Sequence, residues 1–341
     1  MTEQQKIQIG QRLSVGFDGF TIPQEYADLI RTYKVGNVIL FRRNVQSFAQ
    51  LRALCDDLRR LIIAETGHEP FIMIDEECGR VSRLGHIATQ TPSAMAIGAT
   101  GNAEYAYQIG RLIGQELRAS GPNFNLAPVL DCLTNPAAAH GNRCFGVEPQ
   151  KVAEFGVAYL RGLQETGVFA CAKHFPGHGD TAVDSHLGLP VVEKPAEAIW
   201  QTELVSFQAA VNAGIKGVMS SHVVYTAFEP ERVPATVSRN ILTGLVRGQM
   251  HFEGILVSDG MEMNAVKDMF GIAEGTRRAL AAGVDVALIC HSAEEAAKTC
   301  EHLYQAYENG NLDVAETSWH YQHIVDCKKQ LQPPTIPRWH S

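Results

Sequence analysis

The apolar positions of this chain fall into short runs, each followed by a polar cluster. Residues 12–16 open the series weakly, before FDGF. Residues 36–41 (GNVILF) end at Arg42-Arg43-Asn44, residues 70–74 (PFIMI) at Asp75-Glu76-Glu77, and residues 124–127 (FNLA) at Pro128 and Asp131. The runs 168–172, 217–221, 254–258 and 284–290 end at Lys173-His174, His222, Asp259 and His291. Several are apolar at consecutive positions, as in strands covered on both faces. Between the runs, apolar residues recur three and four apart over 26–33, 48–65, 103–119, 149–166, 196–213, 238–250 and 263–282, the spacing of helices with one buried face. Glycines follow several of these segments, and Ser238 is placed to cap one. Residues 293–307 and 314–331 read as two further helices before a Pro-rich end.

Strand-like runs that alternate with helices imply a parallel sheet. Eight repeats fit a closed (β/α)8 barrel better than an open doubly wound sheet, and no G-x-G-x-x-G follows the first run. The expected architecture is therefore α/β, a single TIM-like barrel with a core over about 10–292, a helical extension over about 293–332 and no second domain. In such a barrel the functional groups stand where strands end, on one face. Asp75, Asp131, Lys173, His174, His222, Asp259 and His291 all occupy such positions.

Composition narrows the function. The 341 residues are 45% apolar and 19% charged, enough apolar material for a sizeable core. The net charge of -8 argues against nucleic acid or an anionic membrane as partner. The first residues show no apolar stretch of the kind that directs secretion, and eight cysteines lie scattered with no C-x-x-C pair. Both observations lead us to expect free thiols and a cytoplasmic location.

The densest chemistry lies in KHFPGHGDTAVDSHLGLP, residues 173–190, which packs three histidines, two aspartates and a lysine around two prolines. Such a segment reads as a long functional loop. Two other patterns accompany it. In IDEECGRVSRL, residues 74–84, an aspartate at a strand end precedes an arginine by eight residues; the pair suits either a clamp on sugar hydroxyls or a structural ion pair. In VSDGMEM, residues 257–263, Asp259 follows a buried run and precedes a glycine, where a carboxylate serves as nucleophile, metal ligand or helix cap.

Taken together and in this order, these three motifs resemble the glycoside hydrolase family 3 β-N-acetylhexosaminidases, over roughly residues 30–290. The resemblance implies a retaining mechanism, with Asp259 forming a glycosyl intermediate and His186, tuned by Asp184, as the acid and then the base. It also implies that Asp75, Arg83, Arg143, Lys173 and His174 grip the sugar and its N-acetyl group. The substrate it implies is a GlcNAc-containing oligosaccharide or muropeptide, with no metal and no cofactor. Cys78 stands where the family usually carries a glycine, and Cys144 where serine is common. Some members have a second domain, for which the roughly 50 residues after Ile289 leave no room.

The physics of histidine agrees with that role. An imidazole with an ordinary pKa near 6.5 can hold or release a proton at neutral pH, and an aspartate two residues away can fix its tautomer. Two enzyme alternatives stay open: transfer to phosphate through the same residues, and a metal-dependent barrel hydrolase using His174, His178, His186, His222 and His291 with Asp259. A third is a sugar-binding protein without catalysis. Trp200 and Phe207 are expected in the core, His68, His86 and His251 at the surface, and Glu76 and Glu77 on a solvated face.

Overall fold

A computed structural model describes residues 1–136, 138, 140–181 and 188–332. Eight parallel strands close into a barrel: β1 (Leu13–Val15), β2 (Asn37–Leu40), β3 (Ile72–Ile74), β4 (Phe124–Asn125), β5 (Phe169–Phe175), β6 (Gly217–Ser220), β7 (Ile255–Gly260) and β8 (Val286–Ile289). Each strand pairs with its neighbours in sequence, and β1 closes the ring on β8 through Leu13 opposite Ala287 and Val15 opposite Ile289. Helices follow the strands around the outside. Each strand coincides with one of the eight runs in the sequence.

The consecutive apolar residues of the strands divide between two cores. Ile39, Met73, Phe124, Leu126, Cys171, Met219, Val257 and Leu288 share one cluster, the barrel interior. Their neighbours Val38, Leu40, Ile72, Ile74, Ala170, Ala172, Val218 and Leu256 belong to the other, shared with the helices. Side chains alternate across a strand, so a strand buried on both sides must be apolar at every position. Phe71, Phe124 and Phe169 fill the lower interior with ring centroids 5.2 to 5.9 Å apart. Gly217 has no side chain because a Cβ there would stand 2.6 Å from the Phe124 ring.

The helix Val314–Lys328 closes the lower end of the barrel. Its Ile324 and Cys327 pack into the interior cluster. Lys328 is buried, places its ammonium 5.0 Å from the centre of the Phe71 ring, and donates to Gln11 Oε1 and the Gly36 carbonyl. The tail is thus a plug as well as an extension.

Three helices depart from the spacing. The segment 196–213 splits into Ala196–Gln201 and Glu203–Asn212 at Thr202, whose hydroxyl donates to the Ala198 carbonyl. The segment 263–282 splits into Asn264–Phe270 and Ile272–Ala282 at Gly271, with φ at +71°. Asn240–Gln249 is wound as a π-helix, although Ser238 accepts from the Ile241 N–H as a cap would. An additional helix, Glu3–Gly10, opens the chain with a capping box between Thr2 and Gln5. Among the described residues no helix is long and apolar enough to cross a membrane.

One buried carboxylate ties the last elements together. Asp285, fully buried, accepts from the Leu256 N–H at 2.7 Å, Arg247 Nη2 at 2.6 Å and His320 Nδ1 at 2.6 Å. Burial pushes its pKa up, but Arg247 and His320 pull it well below the usual carboxylate range. A depressed folded pKa contributes stability above the unfolded value of about 4 and loses it as pH falls through the folded value. Asp285→Asn is expected to lower the unfolding free energy at pH 7 by about 3 kcal/mol. It should also remove part of the decline below about pH 4. Urea denaturation at neutral and acid pH checks this, and an equal cost at both would exclude an electrostatic role.

Candidate active site

The upper ends of the strands open into a cavity of about 550 Å³. Six of the eight residues picked from the sequence line it: Asp75, Arg83, Arg143, Lys173, His174 and Asp259. The other two, Asp184 and His186, lie outside the described residues. Strand β5 runs through Phe175, so Lys173 and His174 belong to the strand and not to the loop that follows it.

A chain of charges forms one wall. Lys173 Nζ bridges Asp75 Oδ1 at 2.6 Å and Glu77 Oε1 at 2.7 Å. Arg143 holds Glu77 in a fork, Nε to Oε2 at 2.8 Å and Nη2 to Oε1 at 2.7 Å. Arg83 stands 3.6 Å from Asp75, its Nε unpaired among the described residues and its guanidinium 5.6 Å from the Phe41 ring centre. Burial pushes the Glu77 carboxyl up, yet Lys173 and Arg143 hold it far below its ordinary range. Burial works in the opposite direction on Lys173, and the carboxylates of Asp75 and Glu77 overcome it, so the ammonium is retained.

Glu77 was expected on a solvated face and is instead buried at the centre of this network; Glu76 is buried too. The reason is local. Residues Glu76–Cys78 are extended, so Asp75 and Glu77 project to one side and Glu76 to the other. The Glu76 carboxyl accepts from the Leu84 N–H, and burial raises its pKa. Asn125 and Tyr159 pin the backbone between them: Asn125 pairs with both polar groups of the Glu76 main chain, and the Tyr159 hydroxyl donates to the Glu77 carbonyl at 2.7 Å. Cys78 fits as a buried thiol, pushed up to about 12 by burial, beside Gly79 at φ +61°.

Asp259 stands across the cavity at the end of β7. Burial raises its pKa, but the imidazoles of His174 and His222, the Gly260 N–H and the Lys173 ammonium together lower it by more, leaving the carboxyl below its ordinary value. His174 is itself kept neutral by burial, so Lys173 and the Gly260 N–H, which donates to Asp259 Oδ1 at 2.8 Å, are the steadier part of that pull. His222 sits beneath, fully buried. Its Nε2 donates to the Gly260 carbonyl at 2.9 Å and its Nδ1 pairs with Thr236 Oγ1 at 2.8 Å. Nε2 thus holds the turn after Asp259 and Nδ1 ties the ring to Thr236, so both nitrogens are engaged within the protein.

The base of the histidine-rich loop is anchored. Asp131, fully buried, accepts from His174 Nδ1 at 2.8 Å, from the His174 N–H at 3.2 Å and from the His178 N–H at 2.7 Å. The Tyr225 hydroxyl donates to the Gly177 carbonyl. A Cβ on Gly179 would stand 1.8 Å from the Cys132 carbonyl, so this position requires glycine. Asp180 takes the Thr134 hydroxyl and lies 3.2 Å from Lys194. Residues 178–180 are thus the packed footing of the loop. His291 lies on the cavity rim with its ring centroid 5.4 Å from that of Phe41. Phe207 is buried and Trp200 packs against the core, while His86 and His251 are exposed and His68 is half-buried against the Tyr321 hydroxyl.

Not singled out from the sequence were Glu77, the role of Asp131 under His174, and His140, which packs against both His174 and His178. For Glu77 the signal was present, since alternate residues after a strand end share a face. Replacing Glu77 by Gln leaves Arg143 without its partner carboxylate and Lys173 with Asp75 alone, and is expected to cost about 3 kcal/mol of stability. Glu76→Gln, whose partners are neutral, should cost about 1 kcal/mol. Chemical denaturation of the two variants side by side checks the ranking, and equal losses would overturn it.

The profile described as Glycosyl hydrolase family 3 N terminal domain matches residues 4–327. Beta-hexosaminidase A of Pseudoalteromonas piscicida is 37% identical over 334 residues, which cover 91% of this chain and 56% of that protein. A Beta-hexosaminidase of Alkalilimnicola ehrlichii is 34% identical over 335 residues, covering 96% of this chain and 93% of that one. Among solved structures, a glycoside hydrolase family 3 beta-N-acetylglucosaminidase from a Paenibacillus species superposes with a TM-score of 0.94 at 37% identity, over 99% of this chain and 65% of that chain. A Beta-N-acetylhexosaminidase from Beutenbergia cavernae gives 0.88 at 28% identity, over 96% and 99%. The chain therefore spans little more than half of the Pseudoalteromonas protein and about two thirds of the Paenibacillus one, and by its profile, its relatives and its barrel it belongs to glycosyl hydrolase family 3.

Proposed function

We propose that this chain is a retaining exo-β-N-acetylglucosaminidase that removes terminal β-linked GlcNAc, with peptidoglycan-derived fragments as its substrates. The observation that carries the reading is the cavity itself: an ionised Asp259 faces a wall of fixed, paired charges across a space of sugar size. The names of the relatives support the sugar.

The wall suits a hydroxylated ligand. Asp75 accepts hydrogen bonds, Arg83 stands beside it, and Lys173 and Arg143 are held in place by Glu77 before any ligand arrives. Groups fixed beforehand do not have to reorganise during the reaction. Asp259 attacks the anomeric carbon as the bond to the leaving oxygen breaks, and His186 gives its proton to that oxygen. Water then loses a proton to the same imidazole and attacks the anomeric carbon, which frees Asp259. Asp184 orients the imidazole and stabilises its charged form. The loop footing on Asp131 and Tyr225 gives the segment that carries this pair a fixed origin.

Asp259→Ala is expected to lower kcat for an aryl β-N-acetylglucosaminide by about 1,000-fold or more, about 4 kcal/mol of barrel-bound transition-state stabilisation, while KM changes little. A fluorinated GlcNAc donor that slows the second step should leave a sugar on the peptide containing Asp259, read by mass spectrometry. Turnover retained in Asp259→Ala would end the nucleophile assignment. Activity that depends on added phosphate would assign the second half-reaction to phosphorolysis.

A further inference from the structure

Asp184 and His186 lie in sequence between two anchored stretches, residues 174–181 and 188–194. The first foot ends at Thr181, whose hydroxyl donates to the His178 carbonyl at 3.0 Å. Within it the Gly179 carbonyl accepts from the Asn135 N–H at 3.0 Å and the Asp180 carbonyl from Asn135 Nδ2 at 3.1 Å. The second foot joins a short parallel ladder. Val191 and Val192 lie opposite Val224 and Tyr225, and the Pro190 carbonyl accepts from the Val224 N–H at 2.9 Å. Lys194 stands between the feet. Its Nζ lies 2.8 Å from Glu203 Oε1 and 3.2 Å from Asp180 Oδ1. The steps of the proposed reaction use neither Lys194 nor Glu203.

The Glu203 side chain has no exposed surface, so its carboxylate needs a counter-charge, and Lys194 supplies one. That pairing does not by itself require a second carboxylate. Asp180 is the second, contributed by the first foot, and the Asp180 and Lys194 side chains are each 29% exposed. An ion pair so open to water adds little to stability, which leaves placement as its effect. We infer that Lys194 is a positioning residue for the acid/base pair. Its ammonium, seated on the buried Glu203, holds the two feet together and so fixes where His186 is presented to the leaving oxygen.

Holding both ends of a short span restricts where its middle can go. The feet stand on different parts of the barrel mouth, the first on Asp131 and Asn135 after β4, the second on Val224 and Tyr225 after β6. Two further residues touch both. Tyr225 pairs with Val192 in the ladder and donates its hydroxyl to the Gly177 carbonyl. Glu203 takes Lys194 from the second foot and packs under Gly177 of the first, where a Cβ would stand 2.8 Å from its Cγ. The Lys194 ammonium completes this junction on its outer side. Displacing an acid by about 1 Å costs on the order of 100-fold in rate. The inference rests on the glycosidase reading given above, with His186 as its acid.

Leaving groups that differ in their need for a proton provide the test. Release of phenol from a phenyl β-N-acetylglucosaminide needs the acid, whereas release of dinitrophenol from the 2,4-dinitrophenyl compound does not. Asp180→Asn cuts the link between the feet and keeps the buried pair of Lys194 with Glu203. It is expected to lower kcat/KM for the phenyl substrate by about 10-fold and for the dinitrophenyl substrate by less than about 2-fold. Lys194→Met should lower the phenyl value by about 100-fold with the same selectivity, and Lys194→Arg should restore most of it. His186→Ala, measured alongside, sets the scale of complete acid loss. Equal losses on both substrates in Asp180→Asn, or no loss on either, would mean that Lys194 only neutralises Glu203, and the inference would fall. If His186→Ala keeps its leaving-group dependence in that case, the proposed function stands without it. A His186→Ala variant that treats the two substrates alike would remove the acid assignment and this inference together.

Discussion

Lys173 is almost without exposed surface, and its ammonium can be buried only because Asp75 and Glu77 lie within 2.7 Å of it. Glu77 in turn needs Arg143 to complete its neutralisation. The four groups come from the segments after β3 and β4 and from β5 itself, so the pairing fixes the relative positions of three parts of the barrel mouth. Such a network stabilises little beyond what an apolar filling would give, but loss of one member leaves another charge buried and unpaired. Its value lies in position: the cations and the Asp75 carboxylate stand ready at the cavity wall with their geometry already set.

The layer beneath serves the same end by other means. Asn125 and Tyr159 hold the main chain of Glu76 and Glu77, His222 and Thr236 hold the turn after Asp259, and Asp131 holds His174 and the start of the histidine-rich loop. None of these residues has to touch a sugar. Each satisfies a backbone group or an imidazole that the barrel buries, and by doing so sets the angle of a neighbour that lines the cavity. Around Asp131 the ring of His140 packs against those of His174 and His178, so the same carboxylate also sets the position of this imidazole cluster.

Periodicity carried the barrel. Eight doubly covered strands cannot alternate between apolar and polar, so their runs were visible without any tertiary information, and the residues that ended them were already the candidates for the site. Helix interruptions were less visible. Thr202 breaks its helix by bonding back to the Ala198 carbonyl, and Gly271 by adopting a positive φ, choices that a spacing of three and four does not encode. Glu77 illustrates another limit. An acidic pair after a strand reads as solvated unless the partner cations are known, and Arg143 lies 66 residues away in the chain.

The sequence by itself determined the closed α/β barrel, the family, and the strand-end residues Asp75, Lys173, His174 and Asp259, because hydrophobic period and local motifs are properties of neighbouring residues. Only the tertiary structure decided that Glu77 is buried between Lys173 and Arg143, that His222 serves a backbone turn, that Val314–Lys328 closes the barrel floor, and that His140 joins Asp131 and His174. These depend on which charges and rings meet across separate segments. The free energy of burying a charge is fixed by its partners in space, and the order of residues along the chain does not state who those partners are.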